Sequence, residues 1–339
     1  MKLHPNDTHA NWMGADLPQR PDWCHQLTPD EIAECIAFAS EYERSDGAED
    51  LSRSFESILP TFCERLKRIQ SDLETGSGAT RLAGFPIDQI SHDAVERIFL
   101  LAMTQVGTPV SQSIHGETVF HVRDEGYKEG DPRARGPSSK NRLTFHSDRC
   151  DVISFLCLQD AKHGGDNQIV SSIAIFEQIE RERPDLARVL MEPFWYQRHN
   201  VDSGNENSFY QQPVFSIYQE RFASSLLRVL IDRAYQSPDI PEMTMLQREG
   251  LDLIEELACR PEMHLEFRQE RGDIVLLNNF VTLHRRTAFE DHQDENRRRH
   301  LLRVWLSMPN SRALNPLFAA SYGNTAAGSV RGGMRVAAS

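Results

Sequence analysis

The 339-residue sequence predicts a mainly β protein, with a jelly-roll-like core under an outer layer of helices. Three observations lead to that class. Amphipathic helical patterns are concentrated before about Gly107, short apolar runs bounded by Gly, Pro and Asn recur after it, and no internal repeat divides the chain. The chain is read as a single domain over 1–339, with a helical N-terminal segment (1–75), a core (78–310) and a Gly-, Ala- and Ser-rich tail (319–339) expected to be loose.

Each element has a local reason. Thr28-Pro29-Asp30-Glu31 is a capping box with Pro at the first helical position, and Ile32, Cys35, Ile36, Phe38 and Ala39 continue it as an apolar stripe. A second helix is expected over Ser54 to Leu73, broken by Thr75-Gly76-Ser77-Gly78. Thr80 to Pro86 reads as a short strand, and Ser91 caps a helix running through Val95, Ile98, Phe99 and Met103. Thr118–Val122 is a candidate strand. Arg123 to Arg142 is a polar, Gly-containing stretch of the length typical of a lid. Val152 to Leu158 suits a buried strand, Gly164-Gly165-Asp166-Asn167 a turn, Ile169-Val170 a strand and Ile173 to Arg183 a helix. Ile274–Leu277 and Leu301–Leu306 close the series of strands, and helices are expected mainly ahead of them.

Composition narrows the function. A formal charge of −13 argues against nucleic acid, whose phosphates need a basic surface. No apolar run approaches the roughly 18 residues of a membrane span, and Met1-Lys2-Leu3-His4-Pro5-Asn6-Asp7 lacks the apolar region of a signal peptide. Six cysteines with no CxxC pair suggest neither a zinc knuckle nor a disulfide framework, so reduced thiols in a cytoplasm are expected. The reading leaves room for a homo-oligomer.

The chemistry is carried by His146-Ser147-Asp148 together with His284 and Arg303. On an extended segment from Arg142 to Asp148, Thr144, His146 and Asp148 share one face, while Phe145 packs into the wall. His284 follows Gly272-Asp273 and an apolar strand, at a barrel rim. Two imidazoles and a carboxylate form a facial triad that holds Fe(II) with positions open for a co-substrate and O2. A lone His-x-Asp is more often a polar turn, and the distant second His is what weakens that alternative. If Arg298–Leu306 is a strand, Arg299, Leu301, Arg303 and Trp305 share a face, and a buried Arg there needs an anion, either a bound carboxylate or an internal acid.

These motifs resemble the taurine-dioxygenase-like family of Fe(II)- and 2-oxoglutarate-dependent oxygenases. The resemblance covers roughly residues 78 to 310. It rests on Phe145-His146-Ser147-Asp148, Gly164-Gly165-Asp166, Gly272-Asp273, Leu283-His284, Arg299 and Arg303. It implies a double-stranded β-helix (cupin-like) core, with His146, Asp148 and His284 on iron and Arg303 on the distal carboxylate of 2-oxoglutarate. It further implies O2 as co-substrate, with release of succinate and CO2. Asn167 stands where the family often has a Thr contacting 2-oxoglutarate, and its amide can still donate to a carboxylate. Related halogenases lack the metal carboxylate, so Asp148 implies hydroxylation or a related oxidation. The expected substrate is a small polar molecule carrying an anionic group read by Arg299, which lies about 13 Å along the strand from Arg303. His115, His121, Arg198, His199, Tyr210 and Gln211 are further polar candidates for the pocket. Two other classes compete: a cupin-like zinc hydrolase using the same three ligands, and a non-catalytic jelly-roll binding domain. The triad together with Arg303 favours the oxygenase.

Overall fold

The computed structural model describes all residues except 1–3, 46–50, 128–137, 200–201, 203–206 and 336–339. Two β-sheets face each other. The larger has seven strands in the order Cys24–Gln26, Ala79–Ala83, Ile274–Asn278, Val152–Gln159, His300–Ser307 and Thr108–Val110, with Val119–Val122 also on His300–Ser307. Every pairing in it is antiparallel except the first. The smaller sheet places Asn167–Ser171 between His264–Phe267 and Thr282–Arg286, all antiparallel.

Strand alternation divides the apolar residues between two cores. Val152, Leu156, Ile274, Leu276, Leu302, Val304 and Leu306 face outward. There they meet Phe38, Phe62, Leu66, Ile98 and Phe99 from the helices Pro29–Arg44, Pro60–Thr75 and His92–Val106. Ile153, Val275, Leu277 and Trp305 face inward, toward Ile169 of the smaller sheet. The inward phase of Trp305 also turns Arg303 into the space between the sheets. Val170 and Leu283 lie on the far side of the smaller sheet, under the helices Ser172–Glu182, Pro184–Leu190 and Met245–Cys259.

Several expectations need correction. The strand expected over 142–148 is a loop in which only His146 pairs: its N–H donates to His284 O at 3.0 Å and its carbonyl accepts from His284 N at 2.9 Å. The helix expected over 54–73 is two helices, Phe55–Ile58 and Pro60–Thr75, because the residue before a proline disfavours the α region; Leu59 sits at φ −117°, ψ 55°. Helices do not lie mainly ahead of the strands. Ser172–Glu182, Pro184–Leu190, Arg228–Ala234 and Met245–Cys259 are inserted between Asn167–Ser171 and His264–Phe267 and cover the smaller sheet. The tail is not loose over 319–335: Phe318, Tyr322 and Arg331 are buried, and Arg331 Nε lies 2.6 Å from Asp151 Oδ1. Of the stretch 123–142 read as a lid, residues 128–137 lie outside the described residues. At its downstream end Arg286 donates to the carbonyls of Ser139, Lys140 and Asn141 at 2.7, 3.2 and 2.8 Å.

Candidate active site

The loop carrying His146 and Asp148 is fixed to the ends of both sheets. The His146–His284 backbone bridge joins it to the smaller sheet, and Asp148 N–H donates to Asn279 Oδ1 at 2.9 Å just beyond Ile274–Asn278. Asn279, fully buried, also donates to Cys150 O at 3.2 Å, so one amide spans the loop. The ligand atoms of His146, Asp148 and His284 lie within 4.8 Å of one another, and the two rings are 4.5 Å apart.

This donor set fits a single cation. His284 Nε2 and Asp148 Oδ2 are 3.8 Å apart, too far for a hydrogen bond yet suited to two donors on one ion. His146 Nδ1 lies 2.9 Å from Thr144 O, which leaves the Nε2 lone pair available. Burial, aided by His146 and Arg303, pushes His284 down to about 3, so its imidazole is neutral. Burial would raise Asp148, but the Arg303 guanidinium, with His146 beside it, outweighs it and holds the carboxyl below its usual range.

Arg303 is 4% exposed and firmly held. Its Nε donates to Gln112 Oε1 at 2.7 Å, its Nη1 lies 3.8 Å from Asp148 Oδ2, and it stacks over Phe120 and Trp305. Gln112 in turn donates to Arg303 O at 2.9 Å.

Arg299 is buried differently. Its backbone N–H donates to Asp291 Oδ1, and its guanidinium lies over Phe289 but makes no hydrogen bond or ion pair among the described residues. Burial pushes it down to about 10. It lies against Gly165, whose φ of +77° admits the close approach; a Cβ there would sit 3.3 Å from Arg299 Nε. Asn167, two residues on, lines the same cavity and donates to Gln269 Oε1 at 3.3 Å.

These groups line a cavity of about 700 Å³ between the sheets. His199 and Tyr210 also line it, whereas His115, His121 and Arg198 do not, and Gln212 takes the place expected for Gln211 because the strand Phe209–Gln212 turns alternate residues inward. Gly272-Asp273 builds a turn: Asp273 pairs with Arg81 at 2.7 Å and caps Glu270 N–H at 2.8 Å. Gln112, Asn279 and Met334 escaped the sequence reading. Asn279 had a signal, a polar pair closing an apolar strand; Gln112 and Met334 had none.

Facing sheets that enclose two imidazoles, a carboxylate and inward arginines suit a metal-dependent enzyme that binds an anion. The chain matches the model of the family described as taurine catabolism dioxygenase TauD, TfdA family over residues 47–305, and it belongs to that family. It is therefore a dioxygenase that uses Fe(II), 2-oxoglutarate and O2. FR-33289 synthase of Streptomyces rubellomurinus is 28% identical over 315 residues, covering 89% of this chain and 90% of that protein. Taurine hydroxylase-like protein SAT17 of Stachybotrys chartarum is 25% identical over 315 residues, covering 88% and 78%. Among solved structures, asparagine oxygenase with Fe(II), 3-hydroxyasparagine and succinate has a TM-score of 0.66 at 17% identity, over 84% of this chain and 93% of that one. Non-haem iron oxygenase OrfP with Fe and alpha-ketoglutaric acid has a TM-score of 0.64 at 18% identity, over 84% and 94%. No helix among the described residues is long and apolar enough to cross a membrane.

Proposed function

We propose that the whole chain is one cytoplasmic catalytic domain that oxidises, most simply hydroxylates, a small polar metabolite carrying an anionic group. His146, Asp148 and His284 hold Fe(II) in it, and the two facing sheets are the halves of a double-stranded β-helix. The observation that carries the reading is that the ligand atoms of those three side chains lie within 4.8 Å of one another on the wall of the cavity. When bound, the iron supplies oxygen activation coupled to oxidative decarboxylation of 2-oxoglutarate. The protein's residues bind, orient and exclude water.

The geometry favours exchanging the roles first given to the two arginines. A 2-oxoglutarate that chelates the metal through its keto end extends its far carboxylate well beyond the metal ligands. Arg303 touches the metal carboxylate itself and already has Gln112 and Asp148 as partners. Arg299 lies beside Gly165, two residues before Asn167 of the same cavity wall, with its donors unspent. Leaving a guanidinium buried and unpaired is costly, so the anion present in every turnover belongs with Arg299 and Asn167. Arg303 then faces the substrate's acidic group next to the metal.

An anionic substrate also suits the cavity. Eight arginines and two aspartates line it, in a chain whose formal charge is −13. OrfP has been solved with L-Arg, and asparagine oxygenase with 3-hydroxyasparagine, which supports a polar metabolite of similar size.

The test is Fe(II)- and O2-dependent conversion of 2-oxoglutarate to succinate, screened for stimulation by small anionic metabolites. Stimulation by neutral or cationic metabolites and by none of the anionic ones would overturn the anionic-substrate reading.

A further inference from the structure

The family match ends at residue 305, yet the chain returns to the cavity beyond it. Residues 326–335 run as a strap across the loop that carries Asp148. Gly328 N–H donates to Ser311 O at 3.0 Å, Arg331 N–H to Ser307 Oγ at 3.0 Å, and Gly332 N–H to Tyr322 O at 2.8 Å. Gly333 N–H reaches Arg149 O and Met334 N–H reaches Ser111 O, each at 2.8 Å. Gly332 and Gly333 have φ of +78° and +73°, and a Cβ on either would stand 2.7 Å from Arg149 O or 2.9 Å from Ser111 O. The strap therefore lies flat on the backbone of the residue that follows Asp148.

This path delivers one side chain to the cavity. Met334 packs against the core cluster of Trp305, Cys150 and Ile169, takes Arg149 Nη2 on its Sδ at 3.0 Å, and forms part of the cavity wall. The same cavity is lined by Asp148, Arg149 and Arg303, all charged, and Arg149 touches Met334 directly. A thioether on three rotatable bonds is an adaptable apolar surface, placed here among groups that would hold a substrate's polar end.

We infer that Met334 is a specificity-determining residue, forming the apolar stop of the substrate compartment. It would take a short aliphatic segment of an anionic metabolite and set the length of that segment. The inference rests on the proposed use of this cavity for substrate; the residue itself comes from sequence outside the matched region.

The test uses the full chain with Fe(II) and 2-oxoglutarate, and straight-chain aminoalkanesulfonates of increasing length, beginning with taurine, as probes. Met334→Ala should move the best-accepted probe to a longer chain and raise its kcat/KM about ten-fold. Met334→Trp should lower kcat/KM for every accepted probe at least about ten-fold, the scale of a methylene or two in an apolar pocket. Both should leave 2-oxoglutarate affinity essentially unchanged. An unchanged length profile in both variants overturns the inference. Should no probe stimulate the wild type, a measurement without substrate decides. A nitroxide on Met334→Cys, with Cys24→Ser and Cys259→Ser, should be broadened when Co(II) binds at the histidines and Asp148, and restored by chelation. A label that Co(II) leaves sharp overturns the inference, whereas failure of Co(II) to bind at all would count against the proposed metal site.

Discussion

Nη1 of Arg303 stands 3.8 Å from Oδ2 of Asp148, and Nε2 of His284 stands the same 3.8 Å from that oxygen on another side. One largely buried carboxylate thus faces a permanent cation and a neutral imidazole. The arginine keeps it ionised, while the imidazole supplies a lone pair but no charge. That combination favours metal capture and opposes protonation of the site.

Replacing Asp148 by Asn should therefore abolish Fe(II) or Co(II) binding while leaving the fold intact, because the amide keeps the volume and removes the charge. His284→Ala should do the same. Metal titration followed by visible absorption of Co(II), beside circular dichroism, checks both. Near-native metal affinity in the Asp148 variant would remove this carboxylate from the ligand set.

The two arginines should separate by readout. Arg299→Leu should weaken 2-oxoglutarate binding by roughly 10- to 100-fold, the scale of one or two charge-assisted hydrogen bonds, with metal affinity little changed. Arg303→Leu should mainly impair stimulation by substrate. Anaerobic titration of the Fe(II) protein with 2-oxoglutarate distinguishes them, and the reverse pattern would restore the assignment that the family resemblance implies.

Strand phase shows what the sequence could and could not supply. Alternation along Leu301–Leu306 correctly turned Arg303 inward with Leu301 and Trp305, because one face of that strand is covered by helices and the other by the second sheet. Alternation failed for Arg142–Asp148, a loop held by long-range hydrogen bonds, among them the backbone bridge to His284 and the bond to the side chain of Asn279. Those two contacts join residues more than 130 positions apart, and periodicity within one segment carries no trace of them. The helix Met245–Cys259 was legible in principle, since Thr244 and Gln247 form a capping box, yet its partner surface on the smaller sheet is not. Arg331 was hidden for a different reason: a Gly-, Ala- and Ser-rich tail has no apolar stripe, and this one is held by backbone hydrogen bonds and a buried ion pair.

Acid should destabilise the protein through His300. Burial, reinforced by His121, Arg123 and His92, pushes its imidazole down to about 4. The unfolded chain then binds a proton that the folded one refuses between about pH 6.5 and 4. This contribution to stability is fully present above pH 6.5 and is lost as pH falls through that window. His300→Gln should lose less Tm than the wild type between pH 7.5 and 5.0, and equal losses would exclude His300 as a source of acid sensitivity.

The strongest stability effect should come from the tail. Arg331 is 3% and Asp151 1% exposed, and Arg331 Nε meets Asp151 Oδ1 at 2.6 Å while Asp151 Oδ2 accepts Met308 N–H at 2.7 Å. Removing one partner of such a pair leaves an uncompensated buried charge, which costs about 3–5 kcal/mol. Arg331→Met should thus lower the urea midpoint sharply. Asp151 is three residues beyond Asp148, so the damage should spread to the metal loop and weaken Co(II) binding as well. Asp151→Asn combined with Arg331→Met leaves no charge stranded and should recover part of the stability. A single variant as stable as the wild type would mean that the ion pair adds nothing, and that backbone hydrogen bonds alone hold the strap.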